Sequence, residues 1–463
     1  MSTTHVRRVS RRFQARAAAA LALLLAASAL PGAAQNRGLP PGVELAGHYS
    51  RAGRPLIAIR PFSSPMTGTD AAAQIATILR NDLGLSDRFE FFPVTDSLSQ
   101  PGPVDYAVWN SLRVVWLITG DVTPTADGFQ VFLTAHDVVY GTEKQSGSFS
   151  VPAPGTAEFR MAVHVASDAI VRWITGQPGM AASRIAFVRQ NGNGTSDMLV
   201  VDSDGENLRR IMGSQALLYS PGWSPDGVKL AYASPGEEGW HLMERDMATG
   251  RTRILDRGSQ LVGTPVFTPD GSKVVFARWL PGRGSQEGYE IHEYDVTRNC
   301  CLARLTDSNA DNIGPSLSAD GRRFVFMSTR TGRHHIYVAN SDGAGARIIT
   351  PVGEGVEYNG PDWSPTSSTI VFEGMSRGTF QIMTANADRP GGQVTQLTSS
   401  GDNKDPSFAP DGRHIVYTGS GAQGEGLYVI DAVTGTVRLL ARGARLKMAD
   451  WSPSLAGAVS ANN

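Results

Sequence analysis

The string PGWSPDG at 221–227 returns five more times in altered form. Its relatives are PVFTPDG (265–271), PSLSADG (315–321), PDWSPTS (361–367), PSFAPDG (406–412) and ADWSPS (449–454). The second turn positions, Pro225, Pro269, Ala319, Pro365, Pro410 and Pro453, stand 44, 50, 46, 45 and 43 residues apart. Ser, Thr or Ala opens each turn, Pro presets φ, and Asp-Gly closes most of them, which is the chemistry of a type I hairpin turn. Self-similarity at about 40–50 residues is the period of a propeller blade.

An alternating strand follows each turn except the last: KLAYAS (229–234), KVVFAR (273–278), RFVFMS (323–328), TIVFEG (369–374) and HIVYTG (414–419). A third strand such as HIYVANSDG (335–343) and a fourth such as ARIIT (346–350) complete each unit. Four antiparallel strands repeated radially leave only short, protected edges. The region opens on RIAFVRQ (184–190), a second strand with no first, and closes on MADWSPS (448–454), a first strand with no second. The two fragments complement each other, so six blades close at a seam between the chain ends. Trp223, Phe267, Leu317, Trp363, Phe408 and Trp451 fall on the crowded inner strands. Wedged between blades, one such aromatic is worth about 2–3 kcal/mol, and their reading is structural.

The chain has 463 residues, more than one ordinary domain. Its 51 Gly and 27 Pro suit a turn-rich β architecture, and 41% apolar residues suffice for a sizeable core. Residues 1–34 read as a signal peptide: five Arg, an apolar run over Ala17–Leu30, then small residues to Ala34. Cleavage is expected near Ala34–Gln35. The run is short for a membrane span, so the mature protein is expected to be exported and soluble. An uncleaved anchor is the alternative. Without residues 1–34 the net charge is about −6, which argues against nucleic acid as a partner. Cys300 and Cys301 are adjacent. Neighbouring Cα atoms lie about 3.8 Å apart, closer than an ordinary disulfide allows. They read as a strand-edge pair without catalytic role; a vicinal redox or metal pair is the alternative.

Residues 55–176 carry a different pattern. PLIAIRPF (55–62), RFEFFPV (88–94), VVWLITGDV (114–122), FQVFLTAHDVV (129–139) and KQSGSFSVP (144–152) read as strands. DAAAQIATILRNDL (70–83), with Asp70 as its cap, VDYAVWNSL (104–112) and the stretch 155–176 read as helices; Phe159, Val163, Ala166, Ile170 and Ile174 share a face of the last. The expected fold is therefore mainly β, a six-bladed β-propeller over 184–463 preceded by a small α/β domain over 55–176. A linker spans 177–183 and a loose N-terminal arm 35–54.

Several motifs suggest chemistry and are discounted. GMSRG (374–378) matches a nucleophile elbow, but a strand rather than a helix follows it. His334 and His335 alternate on a strand and face opposite ways. DSDGEN (202–207) lacks the full order of a calcium loop and reads as a turn, as does the sequon NGT (193–195). No metal site and no cofactor is expected. An exported propeller hydrolase or lyase acting on a glycan or peptide is the alternative function. Against it, the N-terminal domain carries no nucleophile motif, and only about a dozen residues follow the last blade strand.

With its export signal, α/β domain and six blades, the chain resembles the TolB family of the periplasmic Tol-Pal system. The motifs are GRPLIAIRPF (53–62), GDVTPTADG (120–128), HVASDAIVRWITG (164–176), SRIAFV (183–188), PGWSPDGVKLAY (221–232) and the terminal WSP (451–453). The resemblance implies a monomeric periplasmic binding protein, not an enzyme. It implies a Pal-like peptidoglycan-associated lipoprotein on one propeller face and a TolA-like inner-membrane protein on the arm, with other outer-membrane proteins as further partners. It further implies that arm docking modulates Pal binding, a role in outer-membrane integrity and constriction at division, and exploitation by bacteriocins. Repeat alignment places the lipoprotein at the loops entering the inner strands: Leu261, Val262, Asn312, Ile313, Tyr358, Asn359, Lys404, Asp405 and Met448. The arm contacts fall to Val43, Glu44 and Leu45.

Overall fold

The computed structural model describes residues 43–45, 53–65, 68–100, 102–214, 216–237, 239–258, 262–281, 287–353 and 355–457. The expected signal peptide, its cleavage point, most of the arm and Leu261 lie outside the described residues.

The chain is mainly β, with a six-bladed propeller behind a small α/β domain. Blade 1 holds Arg184–Gln190, Ser196–Asp202 and Arg209–Ser214. Blades 2 to 6 begin with the inner strands Tyr219–Trp223, Val262–Phe267, Asn312–Leu317, Tyr358–Trp363 and Asn403–Phe408. The inner strand of blade 1 is the last strand of the chain, Leu446–Trp451, which pairs antiparallel with Arg184–Gln190. Ser452 N–H donates to the Arg184 carbonyl (2.8 Å), and Ser452 Oγ accepts from Arg184 N–H (2.9 Å). The ring thus closes at the expected seam.

The repeated turns form for the reason their residues suggest. Gly227 N–H donates to the Ser224 carbonyl (2.9 Å), with Gly227 at φ 69°. Ser224 Oγ accepts from Lys229 N–H (2.9 Å), and Asp226 accepts from Val228 N–H (3.1 Å). Thr268 and Asp270, and Ser318 and Asp320, repeat the arrangement. Trp223, Phe267, Trp363, Phe408 and Trp451 are buried, while Leu317 is only half-buried. Trp223 Nε1 reaches the Asp450 carbonyl of the neighbouring blade (3.2 Å), and Trp451 Nε1 reaches Ser183 Oγ (2.7 Å).

A second repeat lies in the backbone. All six inner strands carry a bulge at one position, where Ser220, Thr264, Gly314, Gly360, Asp405 and Met448 take φ between 47° and 65°. Pro follows in five of them and Ala449 in the sixth. Proline has no N–H for the ladder and is tolerated at a bulge. A bulge bends and twists the strand locally, and here it does so at every inner strand along the axis.

In the α/β domain, Leu56–Ile59 runs parallel to Glu90–Phe91 and Trp116–Pro124, and the last continues antiparallel into Gly128–Asp137 and Thr142–Pro152. Helices Thr69–Leu85 and Phe159–Thr175 cover one face, burying Ile75, Leu79, Leu83, Val163, Ala166 and Ile170 against Ile57, Ile118 and Leu133. The short helix Tyr106–Ser111 covers the other, capped by Asp105, which accepts from Ala107 and Val108 N–H.

Three expectations need correction. Asp70 does not cap its helix; Gly68 stands at the cap without a side-chain bond, and Asp70 lies inside the first turn, where its charge favours the helix dipole. The strand expected over 88–94 shrinks to Glu90–Phe91, since only Leu56 and Ile57 pair with it. Cys300 and Cys301 are bonded to each other as a vicinal disulfide on the outer strand Cys300–Arg304, with Cys301 at φ 69°.

The α/β domain packs on the propeller face where the inner strands end. Leu455 N–H donates to the Ala182 carbonyl (2.7 Å), Ser203 Oγ to the Ala181 carbonyl (2.7 Å) and Arg413 Nη2 to the Asp87 carbonyl (3.2 Å). The loops that enter the inner strands therefore face the other way.

Candidate functional site

The inner strands enclose an axial cavity of about 550 Å³, bounded at one end by bulge residues such as Ser220, Gly314 and Asp405 and at the other by turn residues such as Pro225, Pro269 and Pro410. The nine mouth positions picked from the repeat do not behave alike. Asn312 is fully buried and donates through Nδ2 to Glu290 (2.7 Å), Ser308 (2.8 Å) and the Ala310 carbonyl (3.1 Å), tying its strand to the loop before it. Asn403, which the sequence reading passed over, does the same one blade pair on, toward Gln381 and the Ser400 carbonyl. Tyr358 is also fully buried, its ring 5.7 Å from His335 and 5.4 Å edge-on to Phe372. Asp405 joins strands: it accepts from Met448 N–H (3.0 Å) and Thr418 Oγ1 (3.1 Å), while its own N–H meets Glu373 (2.8 Å). Burial, with the Asp405 charge beside it, pushes Glu373 up to about 8.

Ile313, Asn359, Lys404 and Met448 are partly accessible. Ile313 is half-buried, and Val262 opens its strand opposite Arg278. Asn359 Oδ1 meets His334 Nδ1 (3.0 Å), beside Glu357. Lys404 Nζ bonds Asp402 (2.7 Å) and sits 4.9 Å from the centre of the Phe380 ring. Met448 is half-buried, and its sulfur accepts from Ser220 N–H (3.2 Å). The structure therefore sorts the picked residues into struts (Asn312, Tyr358, Asp405) and rim (Ile313, Asn359, Lys404, Met448). His334, Glu357 and Asp402 join the rim; sequence alignment passed over them because they flank the repeat rather than occupy it.

Tyr358 provides a test of this sorting. Its hydroxyl is buried without a hydrogen-bond partner, and burial pushes its pKa upward. An unmet buried polar group costs about 1–3 kcal/mol. Tyr358→Phe is expected to raise stability by about 1 kcal/mol in a urea melt; a loss of that size would show the hydroxyl to be satisfied.

Besides Asp405, two carboxylates line the channel. Asp450 accepts from Trp223 N–H (2.9 Å); Asp362 accepts from Phe408 N–H (2.7 Å) and Ser316 Oγ (2.8 Å). Burial, then the charge of Asp362, pushes Asp450 up to about 8 from 3.8. The folded chain thus keeps a proton there that the unfolded chain has lost, and stability falls as pH rises between the two values. Asp450→Asn is expected to raise Tm most at about pH 9, with the gain vanishing near pH 4; an equal gain at both ends would contradict this.

Two acid–histidine clusters have the composition of a metal site: Asp82, His164 and Asp204, and Asp87, His414 and Asp431. The residues do not fit an ion. Arg160 pairs with Asp204, Arg413 with Asp431 (2.5 Å), and Arg438 approaches Asp87 (3.8 Å), so guanidinium groups already neutralise the carboxylates. Ser376 of GMSRG ends a strand that turns directly back into Thr379–Asn386, a hairpin and not a nucleophile elbow. Among the described residues no helix is long and apolar enough to cross a membrane.

A family model described as the TolB beta propeller domain matches residues 171–455, and one described as the TolB amino-terminal domain matches 49–144. A Tol-Pal system protein TolB from Bordetella parapertussis is 31% identical over 412 residues, covering 86% of each chain. One from Methylococcus capsulatus is 32% identical over 203 residues; that match takes in 42% of this chain and 46% of the relative, about half its length. The crystal structure of TolB from Acinetobacter baumannii superposes with a TM-score of 0.72 at 25% identity, over 86% of this chain and 96% of the other. The propeller, the α/β domain and the sequence matches agree: the chain belongs to the TolB family.

Proposed function

We propose that the protein is a periplasmic binding scaffold of the Tol-Pal system with no catalytic activity. It holds a Pal-like lipoprotein at the channel mouth, through Val262, Ile313, Asn359, Lys404 and Met448, and a TolA-like protein through the arm segment Val43–Leu45. The rim suits a protein interface because apolar, amide and charged groups alternate around it.

The observation that carries the reading is the position of the arm. Val43–Leu45 adds a fifth strand to blade 5, parallel to Val394–Gln396, in register over three residues. Main-chain pairing of an extended segment with a sheet edge is a standard mode of peptide capture. Three parallel pairs form a short ladder, and parallel pairing is slightly weaker per residue than antiparallel. A segment held so lightly can leave the blade and pair with a partner.

The test is a pull-down from a detergent-solubilised cell-envelope extract with the chain from residue 35, and with one starting at residue 53. The longer chain is expected to recover both a Pal-like lipoprotein and a TolA-like protein, the shorter only the first. Recovery of neither by the folded longer chain sinks the proposal; equal recovery of the TolA-like protein by both sinks the role of the arm.

A further inference from the structure

A cleft of about 460 Å³ opens between the α/β domain and blade 6. Arg54 and Arg88 line it from one side and Arg413 from the other; Phe89, Trp116 and Val433 give it apolar walls. It lies on the face where the inner strands end, opposite the channel mouth, so the two sites can fail separately.

The guanidinium groups here outnumber the carboxylates they face. Arg54, Arg88, Arg413 and Arg438 stand against Asp87, Asp411 and Asp431. Asp411 is already engaged by His414 Nδ1 (2.7 Å), which leaves Arg88 at 3.7 Å from it. His414 adds positive charge when protonated; burial opposes that form, but Asp411 and Asp87 favour it and raise its pKa overall. Asp168, whose charge also acts on Arg88, is held by Ala181 and Ala182 N–H (2.9 Å each) and pushed up by burial to about 7, so it offsets little. Donors are also left over: Arg54 Nε and Arg88 Nε are buried without hydrogen-bond partners, while Arg54 Nη2 lies 3.2 Å from Asp87 Oδ1. Arg54, Arg88 and Arg413 keep 13%, 12% and 16% of their side-chain surface exposed. Desolvated guanidinium groups short of acceptors are costly, and an oxyanion bound by their planar forks offsets that cost.

We propose that this cleft binds a carboxylate carried next to an apolar group. The guanidinium groups take the carboxylate. Trp116, Phe89 and the half-exposed Val433 (51%) take the apolar group. A ligand seated there touches both domains and ties them together.

The experiment titrates N-acetylphenylalanine into the folded chain by calorimetry, with its neutral amide and inorganic phosphate in parallel. Saturable binding of the acid is expected, with at least tenfold weaker binding of the amide and weaker binding of phosphate. Arg54→Met is the variant chosen, since Arg54 has a single ion-pair partner, Asp87; it is expected to weaken the acid at least tenfold. The Trp116 indole N–H resonance of the unaltered, labelled protein serves independently of any variant and is expected to shift with the acid. No saturable binding of the acid, binding of the amide equal to it, full affinity in Arg54→Met, or an unmoved Trp116 signal at saturation overturns the proposal. Phosphate binding as tightly as the acid overturns its apolar half.

Discussion

Deleting residues 446–463 is expected to leave a chain that no longer melts cooperatively. The deletion removes the inner strand of blade 1 and with it the only pairing that closes the described ring. Leu446, Ala449 and Trp451 share a buried cluster with Ile185 and Phe187 of blade 1 and with Val416 and Leu427 of blade 6. Losing the Trp alone removes about 3–5 kcal/mol, against a total stability of about 5–15 kcal/mol for a typical domain. The deletion also bares the ladder of Arg184–Gln190, an open edge that invites aggregation. Trp451→Ala, which keeps the strand, is expected to fold with a lowered Tm. A truncated chain that kept its near-ultraviolet circular dichroism and a cooperative melt within a few degrees would contradict the closure account.

Asp411→Ala is expected to cost about 3–5 kcal/mol, the usual loss when one partner of a buried charge pair is removed. Asp411 is buried and accepts from Arg413 N–H (2.9 Å), His414 N–H (3.0 Å) and His414 Nδ1 (2.7 Å). Burial raises its pKa, but the charge of His414 and these donors outweigh burial and hold it well below 3.8. A depressed carboxylate stabilises the fold above its ordinary pKa and loses that stability as pH falls. His414 runs the other way: its raised pKa gives stability that is full below 6.5 and lost as pH rises through the folded value. The pair is therefore strongest between the two. The double variant Asp411→Leu with His414→Phe is expected to cost less than Asp411→Ala alone, because the buried His414 charge is removed with its partner; Arg88, 3.7 Å from Asp411, loses that carboxylate in both variants. Urea melts from about pH 4 to 9 check both points; a loss under about 1 kcal/mol for the single variant would contradict them.

How much of this was readable depended on distance along the chain. The blades were readable because each repeats one hairpin turn whose Ser, Pro and Gly act locally. The seam was readable because its two fragments were each half a known unit. The bulges were not read, although Pro221, Pro265, Pro315, Pro361 and Pro406 marked them; their meaning depends on the neighbouring strand. Asn312, Tyr358 and Asn403 open equivalent inner strands, but the repeat said nothing of burial; all three are buried, and Lys404 was picked where Asn403 is the counterpart of Asn312 and Tyr358. The domain junction was invisible in sequence. His164 meets Asp82 and Asp204, and His414 meets Asp87, and no local spacing links such residues. Asp70 failed as a cap because it stands two positions past the cap residue Gly68, inside the helix, where its side chain cannot cap the free N–H groups.

The central claim is that the mouth of the channel, and not the face beneath it, receives the lipoprotein. Titrating the soluble domain of a Pal-like lipoprotein into three proteins tests it most directly: the unaltered chain, Lys404→Glu at the rim and Val433→Glu on the opposite face. The account expects at least tenfold weaker binding for Lys404→Glu, more strongly at low salt, and unchanged binding for Val433→Glu. Unchanged binding by Lys404→Glu together with loss in Val433→Glu would contradict it.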